Sequence, residues 1–248
     1  MPPPPPPSAA PPGEPDVFLP QAREGVRRLE ADRADPVGRG LLGEAHDRLS
    51  APPEWLLEAR RRLLLPRLPE LPLRTQRLLL RRIRPDDAPA LAAYYGRPDV
   101  AAYLPFGPLT LEETAAKLAR RLPQEEEPEP PLLGLAVEHE GRLVGDLLLM
   151  FRPPEWSVVE IGWAMHPDVA GRGFATEAAR AALDLAFGHY GFHRVDAQLD
   201  PRNTASARLC ERLGMRLESH TRRDYWCKGE WADSLRYAVL AEEHVARG

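Results

Sequence analysis

The sequence predicts a mixed α/β fold, a central twisted sheet of parallel and antiparallel strands flanked by helices. Three observations indicate it. From about Pro72 onward, strand-like and helix-like segments follow one another without strict strand–helix–strand alternation. Two hairpin patterns occur in this region. Prolines, of which the 248-residue chain has 29, are most concentrated at its start, which divides it into a proline-rich extension over residues 1–71 and one domain over residues 72–248.

The extension is predicted to be disordered to partly helical. MPPPPPPSAAPPGEP is expected to be extended and solvated, because proline lacks the amide donor and fixes φ. VRRLEADR and EWLLEARRRLLL could be short helices, but prolines interrupt them too often for an independent core. No signal-peptide pattern and no run of ~20 apolar residues is present. We therefore expect a cytoplasmic protein that does not bind membranes.

The charge and the cysteines exclude two classes of function. The formal net charge of -4 gives no electrostatic basis for nucleic-acid binding. Cys210 and Cys227 have no CxxC or nearby histidine spacing, so no metal site is expected.

The domain opens with a strand, TQRLLLRRI, and a helix capped by Asp86 or Asp87. A second helix begins with a capping box, Thr110 to Glu113. Its predicted buried face consists of Leu111, Ala115, Leu118 and Leu122. PQEEEPEPP is then expected to be a solvated loop.

The following strands are read from alternation and turn residues. Apolar Leu133, Leu135 and Val137 occupy every second position of a first strand. Glu140 and Gly141 form a turn, and LVGDLLLMF is the second strand of the hairpin. SVVEIGWAM and RVDAQL are further strands. RLESHTRRDYW, KGE and WADSLRYAVL form a closing hairpin.

VAGRGFATEA, residues 169–178, places Gly171 and Gly173 between a strand and a helix. Free amides at a helix start favour an anion such as phosphate, and glycine removes the Cβ atoms that would block its approach. A tight turn without a ligand is the alternative for this pattern alone. Thr176 stands where a dinucleotide fingerprint needs its third glycine, and no G-K-S/T is present.

DPRNTASARLCERLGMR follows the strand RVDAQL and predicts another helix. Asn203 is its N-cap, and the helix ends at Gly214. The inward face is predicted to include Ala205, Leu209 and Leu213, with Ser206 one turn into the helix.

With these motifs in order, the chain from about Pro72 to its end resembles the GNAT acetyltransferase superfamily, most closely its RimJ/RimL-like branch. TQRLLLR is similar to that branch's opening strand, VEIGWAMHPDVAGRGFATEA to its acetyl-CoA motif, and DPRNTASARLCERLGM to its N-x-x-S helix. KGEWADSLRYAVL is similar to the closing hairpin. The resemblance implies an acetyl-CoA-dependent N-acetyltransferase.

The resemblance also implies cofactor-binding residues. The pyrophosphate of acetyl-CoA would be cradled by Gly171, Arg172, Gly173, Phe174, Ala175 and Thr176. The pantetheine arm would run beside Trp163, Ala164 and Met165, and Asn203 would belong to the same site. Gly162 suits either the family's β-bulge or plain packing. The sequence departs from the family at Ala170, where Gln or Arg is usual.

Four residues are candidates for the chemistry. Ser206 matches the branch's serine at the cofactor sulfur, or it satisfies backbone groups in its helix. The phenol of Tyr225 is a stronger acid than the Ser206 hydroxyl, with a reference pKa of ~10. Glu160 and Asp224 are alternative general bases, and Asp224 could instead be a surface carboxylate paired with Arg222 or Arg223.

The acceptor expected from the resemblance is a primary amine, on a protein N-terminus or a small molecule. An amine of low pKa is favoured, because deprotonating an α-amino group at pH 7 costs only about 1 kcal/mol whereas a lysine-like amine costs about 4.6 kcal/mol. The second hypothesis is a non-catalytic domain that binds CoA as a scaffold. The third is an enzyme that uses a nicotinamide cofactor or another nucleotide. A homodimer is one option for the oligomeric state.

Overall fold

The computed structural model describes residues 15–32, 35–64, 69–127, 130–153 and 156–245. The described residues form two compact units. The first comprises residues 15–32, 35–64, 153 and 156–157, and the second comprises residues 69–127, 130–152 and 158–245. The proline-rich stretch at residues 1–14, predicted to be extended, lies outside the described residues. Within the described part of the chain, no helix is both long and apolar enough to cross a membrane.

The first unit consists of three helices, α1 (Pro15–Ala31), α2 (Pro36–Arg48) and α3 (Glu54–Leu63). Asp35 caps α2, accepting a hydrogen bond from the Gly38 amide at 3.0 Å. A Cβ on Gly25 would lie 2.8 Å from the Gly38 carbonyl oxygen, so glycine permits this close contact.

The first unit also has a buried core of its own. Its members are Ala22, Leu29, Leu42, Ala45, Leu49, Leu56, Ala59, Leu63 and Leu64. The expectation that prolines exclude an independent core here is therefore wrong. The proline at the start of α2 lies in the first turn, where its missing amide costs no helical hydrogen bond, and Pro53 precedes α3.

The second unit contains an eight-stranded sheet in the order β1-β2-β3-β4-β5-β6-β8-β7. The strands are β1 (Leu73–Arg74), β2 (Leu79–Arg82), β3 (Leu132–His139), β4 (Arg142–Phe151), β5 (Val158–Met165), β6 (Arg194–Leu199), β7 (Arg216–Cys227) and β8 (Glu230–Leu240). All neighbouring strands are antiparallel except β5 and β6. The predicted mixed sheet is confirmed.

Helices cover both faces of this sheet. They are α4 (Ala88–Tyr95), α5 (Pro98–Ala101), α6 (Leu111–Arg121), α7 (Phe174–Asp184), α8 (Thr204–Arg212) and α9 (Ala241–Val245). Residues of α7 and α8 share one buried cluster with Leu147 and Leu149 of β4. Residues of α4 and α6 share another with Ala136 of β3 and Ala164 of β5. Because strand side chains alternate between faces, α4 and α6 lie opposite α7 and α8.

Candidate active site

The parallel strands β5 and β6 separate partway along their length. They pair from Val158 to Glu160, whose partner on β6 is Asp196, and no further pair follows. β6 continues to pair with β8 as far as Leu199, while β5 continues along β4 to Met165. Alternate residues of β5 beyond Glu160 therefore direct backbone polar groups into an opening in the sheet.

This opening does not require a bulge at Gly162. The register between β4 and β5 runs through Leu148 and Gly162 without a shift along its whole paired length. A Cβ on Gly162 would meet only the methyl carbon of Met150, at 3.8 Å. The separation arises because pairing with β6 ends, so of the two alternatives for Gly162 the structure does not support the bulge.

The glycine loop leads directly into α7. Gly171 has φ 76° and Gly173, the N-cap of α7, has φ 79°. These left-handed conformations explain why both positions are glycine. The first-turn amides of Phe174, Ala175 and Thr176 have no acceptor within the helix and carry the positive end of its dipole.

Arginines from distant parts of the chain surround this helix start. Arg77, from the turn between β1 and β2, donates from Nη1 to the Arg172 carbonyl at 2.9 Å and from Nε to Glu177 at 2.7 Å. Its Nη2 lies 3.4 Å from where a Cβ on Gly173 would be. Arg212 of α8 donates to the Thr176 hydroxyl at 3.2 Å.

The loop and these arginines line a groove of about 930 Å³, which also includes Met165, Ala170 and Glu177. Open space lies around Gly171, where a Cβ would meet nothing within 4 Å. Exposed amides, a helix dipole and several guanidinium groups together suit a ligand with more than one phosphate. The residues present therefore fit coenzyme A, although Ala170 supplies no side-chain donor.

A second cavity, of about 380 Å³, lies at the opening between β5 and β6. Its floor includes one face of the sheet, because Asp146, Leu148 and Met150 of β4 line it and pair with Ala164, Gly162 and Glu160 of β5. Of the predicted site residues, Glu160, Trp163, Ala164, Asn203, Ser206 and Tyr225 line this cavity. Met165 and the glycine loop line the groove instead, except that Arg172 is not among the lining residues.

Glu160 lies at the last pair before the strands separate. Its side chain is 16% exposed and contacts the guanidinium of Arg152. Burial raises the pKa of the Glu160 carboxyl, Arg152 opposes this, and neighbouring Asp196 raises the pKa further. Asp196 is itself bound by Arg236 at 2.8 Å through one oxygen. A carboxylate with a raised pKa is a stronger base than an exposed one, which suits it to accept a proton in this cavity.

Trp163 and Ser206 form a hydrogen-bonded pair at the start of α8. The Ser206 backbone amide donates to the Asn203 side chain at 3.0 Å, which confirms the predicted cap. The indole Nε1–H of Trp163 donates to the Ser206 hydroxyl oxygen at 3.0 Å. Since the indole can only donate, the Ser206 hydroxyl hydrogen is left to donate to another group.

The structure separates the two candidate residues of β7. Tyr225 lines the cavity, and burial, with smaller contributions from Cys227 and Glu160, raises its pKa. Asp224 is exposed, does not line the cavity, and accepts a hydrogen bond from Ser234 at 2.5 Å. The pairing register between β7 and β8 shifts between Thr221 and Tyr225. Asp224 and Tyr225 therefore have different surroundings although they are adjacent in sequence. The suggestion of Asp224 as the general base is therefore not supported.

Sequence reasoning missed the polar groups beneath the cavity. Asp146 is buried and accepts hydrogen bonds from the hydroxyls of Tyr94 at 2.6 Å and Tyr95 at 2.7 Å. Burial raises its pKa against these two hydrogen bonds and the nearby cations Arg121 and Lys117. A charged residue inside the apolar pattern LVGDLLLMF was the available signal.

A sheet opened between two parallel strands, beside an amide-lined helix start, is an arrangement that suits an acyl-CoA-dependent transferase. The sequence model of the acetyltransferase (GNAT) domain matches residues 77–216. The Bacillus subtilis protein named uncharacterized N-acetyltransferase YnaD is 32% identical over 68% of this chain and 96% of its own length.

Two solved acetyltransferase structures have a similar fold. A GNAT-family acetyltransferase from Bacillus anthracis has a TM-score of 0.61 and 31% identity, covering 69% of this chain and 99% of its own. RimL, a ribosomal L7/L12 alpha-N-protein acetyltransferase in complex with coenzyme A, has a TM-score of 0.61 at 17% identity, covering 67% and 95%. The last similarity shows the fold alone.

The chain belongs to the GNAT acetyltransferase family. It is an acetyl-CoA-dependent acetyltransferase that transfers acetyl groups to amines.

Proposed function

We propose that this enzyme acetylates a primary amine of a small molecule or a protein N-terminus, and that it is related to the RimJ/RimL-like branch. The observation that carries the proposal is the position of Glu160. It lies where β5 and β6 part, in a cavity shared with Trp163 and Ser206. The groove at α7 would hold the phosphates of acetyl-CoA, and the free edge of β5 would bind the pantetheine arm as an added strand does.

The phosphate site would combine backbone and side-chain donors. The amides of Phe174, Ala175 and Thr176 would face the pyrophosphate, with Gly171 and Gly173 allowing its approach. Arg77 lies beside the same helix start and would supply the cationic group that Ala170 lacks. Guanidinium groups bind phosphate oxygens strongly because both the charge and the donor geometry match.

Acetyl-CoA supplies an activated thioester. Glu160 would accept a proton from the acceptor ammonium, which leaves the amine lone pair free to attack. A backbone amide of β5 near Trp163–Met165 would stabilise the negative charge that develops on the carbonyl oxygen.

The leaving sulfur also needs a hydrogen-bond donor. The Ser206 hydroxyl would donate to it, because the Trp163 indole already occupies the Ser206 oxygen as an acceptor. Tyr225 would be the proton source, since it lines the cavity and its phenol, whose pKa burial raises from the reference value of ~10, is protonated at neutral pH.

The test is CoA release, measured with a thiol reagent, across a panel of N-terminal peptides, polyamines and aminoglycosides. Release with one or more amines, lost in Glu160→Gln, supports the proposal. Cofactor binding without release on any amine would instead support a CoA-binding scaffold. Substituting Asp224 provides a matched control, because Asp224→Asn alters a carboxylate that does not line the cavity.

A further inference from the structure

Two basic side chains on α6 line the cavity that contains Glu160. Lys117 and Arg121 are one helical turn apart and therefore lie on the same side of α6. We call this pair the basic end of the cavity. The Lys117 ammonium lies 4.3 Å from the centre of the Phe106 ring, and Phe106 lines the same cavity.

The charges around the basic end do not cancel. Glu125 is buried, with Arg121 at 3.4 Å and Arg82 at 3.8 Å. Asp146 is the other nearby carboxylate, and both its oxygens accept hydrogen bonds from tyrosines. By formal charge, three cations therefore face two carboxylates, an excess of one positive charge.

Lys117 carries that excess. Among the residues that the structure describes, no carboxylate lies within 4.0 Å of its ammonium. Arg121 Nη2 is buried without a hydrogen-bond acceptor in the described part of the chain, whereas Nε lies 3.4 Å from a Glu125 oxygen. Burial and the neighbouring Arg121 and Arg120 lower the pKa of Lys117, and Asp146 opposes this. An anion bound here would offset the cost of holding these charges away from water.

The remaining basic groups of the cavity are already engaged. Arg202 pairs with Asp200 at 2.6 Å and Glu230 at 3.4 Å. The Lys228 ammonium donates to the carbonyl oxygens of Ala101 and Ala102. The basic end is therefore the part of the described cavity that offers a cation to a ligand.

We propose that the acceptor amine also carries a carboxylate and that Lys117, supported by Arg121, binds it. The inference rests on the proposed function and narrows its substrate class. A free amino acid and an N-terminal residue followed by an acidic side chain share this chemistry. The cavity volume of about 380 Å³ suits a ligand of that size. A polyamine would bring further positive charge to the same end.

The test compares acceptors that differ in this charge alone. β-Alanine is compared with β-alaninamide, and a peptide beginning Ser-Glu with one beginning Ser-Gln, with spermidine as the polycation. After correction for the fraction of neutral amine, we expect kcat/KM for the acidic member to be about tenfold to a hundredfold higher. A larger kcat/KM ratio for the β-alanine pair would indicate a free amino acid as the acceptor, and a larger ratio for the peptide pair would indicate a protein N-terminus. Equal use of both members, or preference for spermidine, would overturn the inference.

Variants assign the effect to the basic end. Lys117→Met should remove the preference for the acidic acceptor, mainly through KM, and Lys117→Arg should restore most of it. Arg120→Met is the matched control, because Arg120 is an exposed cation on the same helix and does not line the cavity. If Arg120→Met removed the preference to the same extent, a general effect of net charge would replace the proposed site.

A binding measurement separates this inference from the proposed function. Calorimetry on the full chain with CoA bound, titrated with glutarate, reports the basic end without turnover. Glutarate binding that is lost in Lys117→Met supports the inference. If it occurs while no amine releases CoA, only the proposed function fails. If glutarate does not bind while amines without a carboxylate are acetylated, the inference fails and the proposed function stands.

Discussion

The Trp163 indole donates a hydrogen bond to the Ser206 hydroxyl oxygen at 3.0 Å. This contact joins β5, beyond the point where it leaves β6, to the first turn of α8. It connects two sequence motifs that lie 43 residues apart. Because the indole cannot accept, the contact also fixes which way the Ser206 hydroxyl can donate.

Trp163→Phe should therefore lower kcat by acting through Ser206. A neutral hydrogen bond contributes about 0.5–1.5 kcal/mol, which corresponds to a decrease of roughly two- to tenfold. A double-mutant cycle with Ser206→Ala measures the coupling, and the double variant should be little worse than Ser206→Ala alone. Trp226→Phe, at a tryptophan that is 58% exposed, is the control. Fully additive losses would contradict the positioning role.

Gly173→Ala should weaken CoA binding by about tenfold or more. A Cβ at φ 79° costs about 1–2 kcal/mol and disturbs the first-turn amides of α7 beside Arg77. Gly141→Ala is a matched control, because Gly141 has φ 74° in the turn between β3 and β4. Both variants should lower Tm comparably, and calorimetry should show weaker CoA binding in Gly173→Ala alone. Equal CoA affinity in both would argue against the phosphate site.

Arg77→Met should raise the Kd for CoA by about tenfold, because it removes a guanidinium group beside the helix start. The difference from wild type should shrink as salt is added, since screening weakens the lost attraction. Arg97→Met removes the same charge from an exposed pair with Asp99 and serves as the control. An unchanged Kd at low salt would show that Arg77 only supports the loop.

Local signals predicted several features around the candidate site. The glycine loop before α7, the Asn203 cap and the closing hairpin follow from residues close together in sequence. Such features are predictable because their physical causes lie within a few residues.

Features that depend on distant partners were not predictable. Arg77 reaches the glycine loop from 95 residues away, and no local pattern indicates it. Glu125 lies in a stretch that was expected to be solvated, but it is 1% exposed because Arg121 and Arg82 face it. On α6, Leu111 is 53% exposed while Thr114 is buried, because the neighbouring helix and sheet decide which side faces inward.

Glu160→Gln should lower kcat by about 10²–10⁴-fold and remove the acidic limb of the pH profile of kcat/KM. The base acts when ionised, so wild-type activity should fall as pH drops through the raised pKa of Glu160. Arg152→Met removes an interaction that lowers this pKa and should move the limb to higher pH.

Stability provides the control for the Glu160 variant. A carboxyl whose pKa is raised in the folded state contributes stability at low pH, and this contribution is lost as pH rises through the folded pKa. Glu160→Gln should therefore be at least as stable as wild type at pH 7, as measured by Tm across pH. Lost activity with retained or raised Tm is the expected result for a residue that accepts protons. A lower Tm at pH 7, or an unchanged acidic limb, would show that Glu160 serves the fold rather than the reaction.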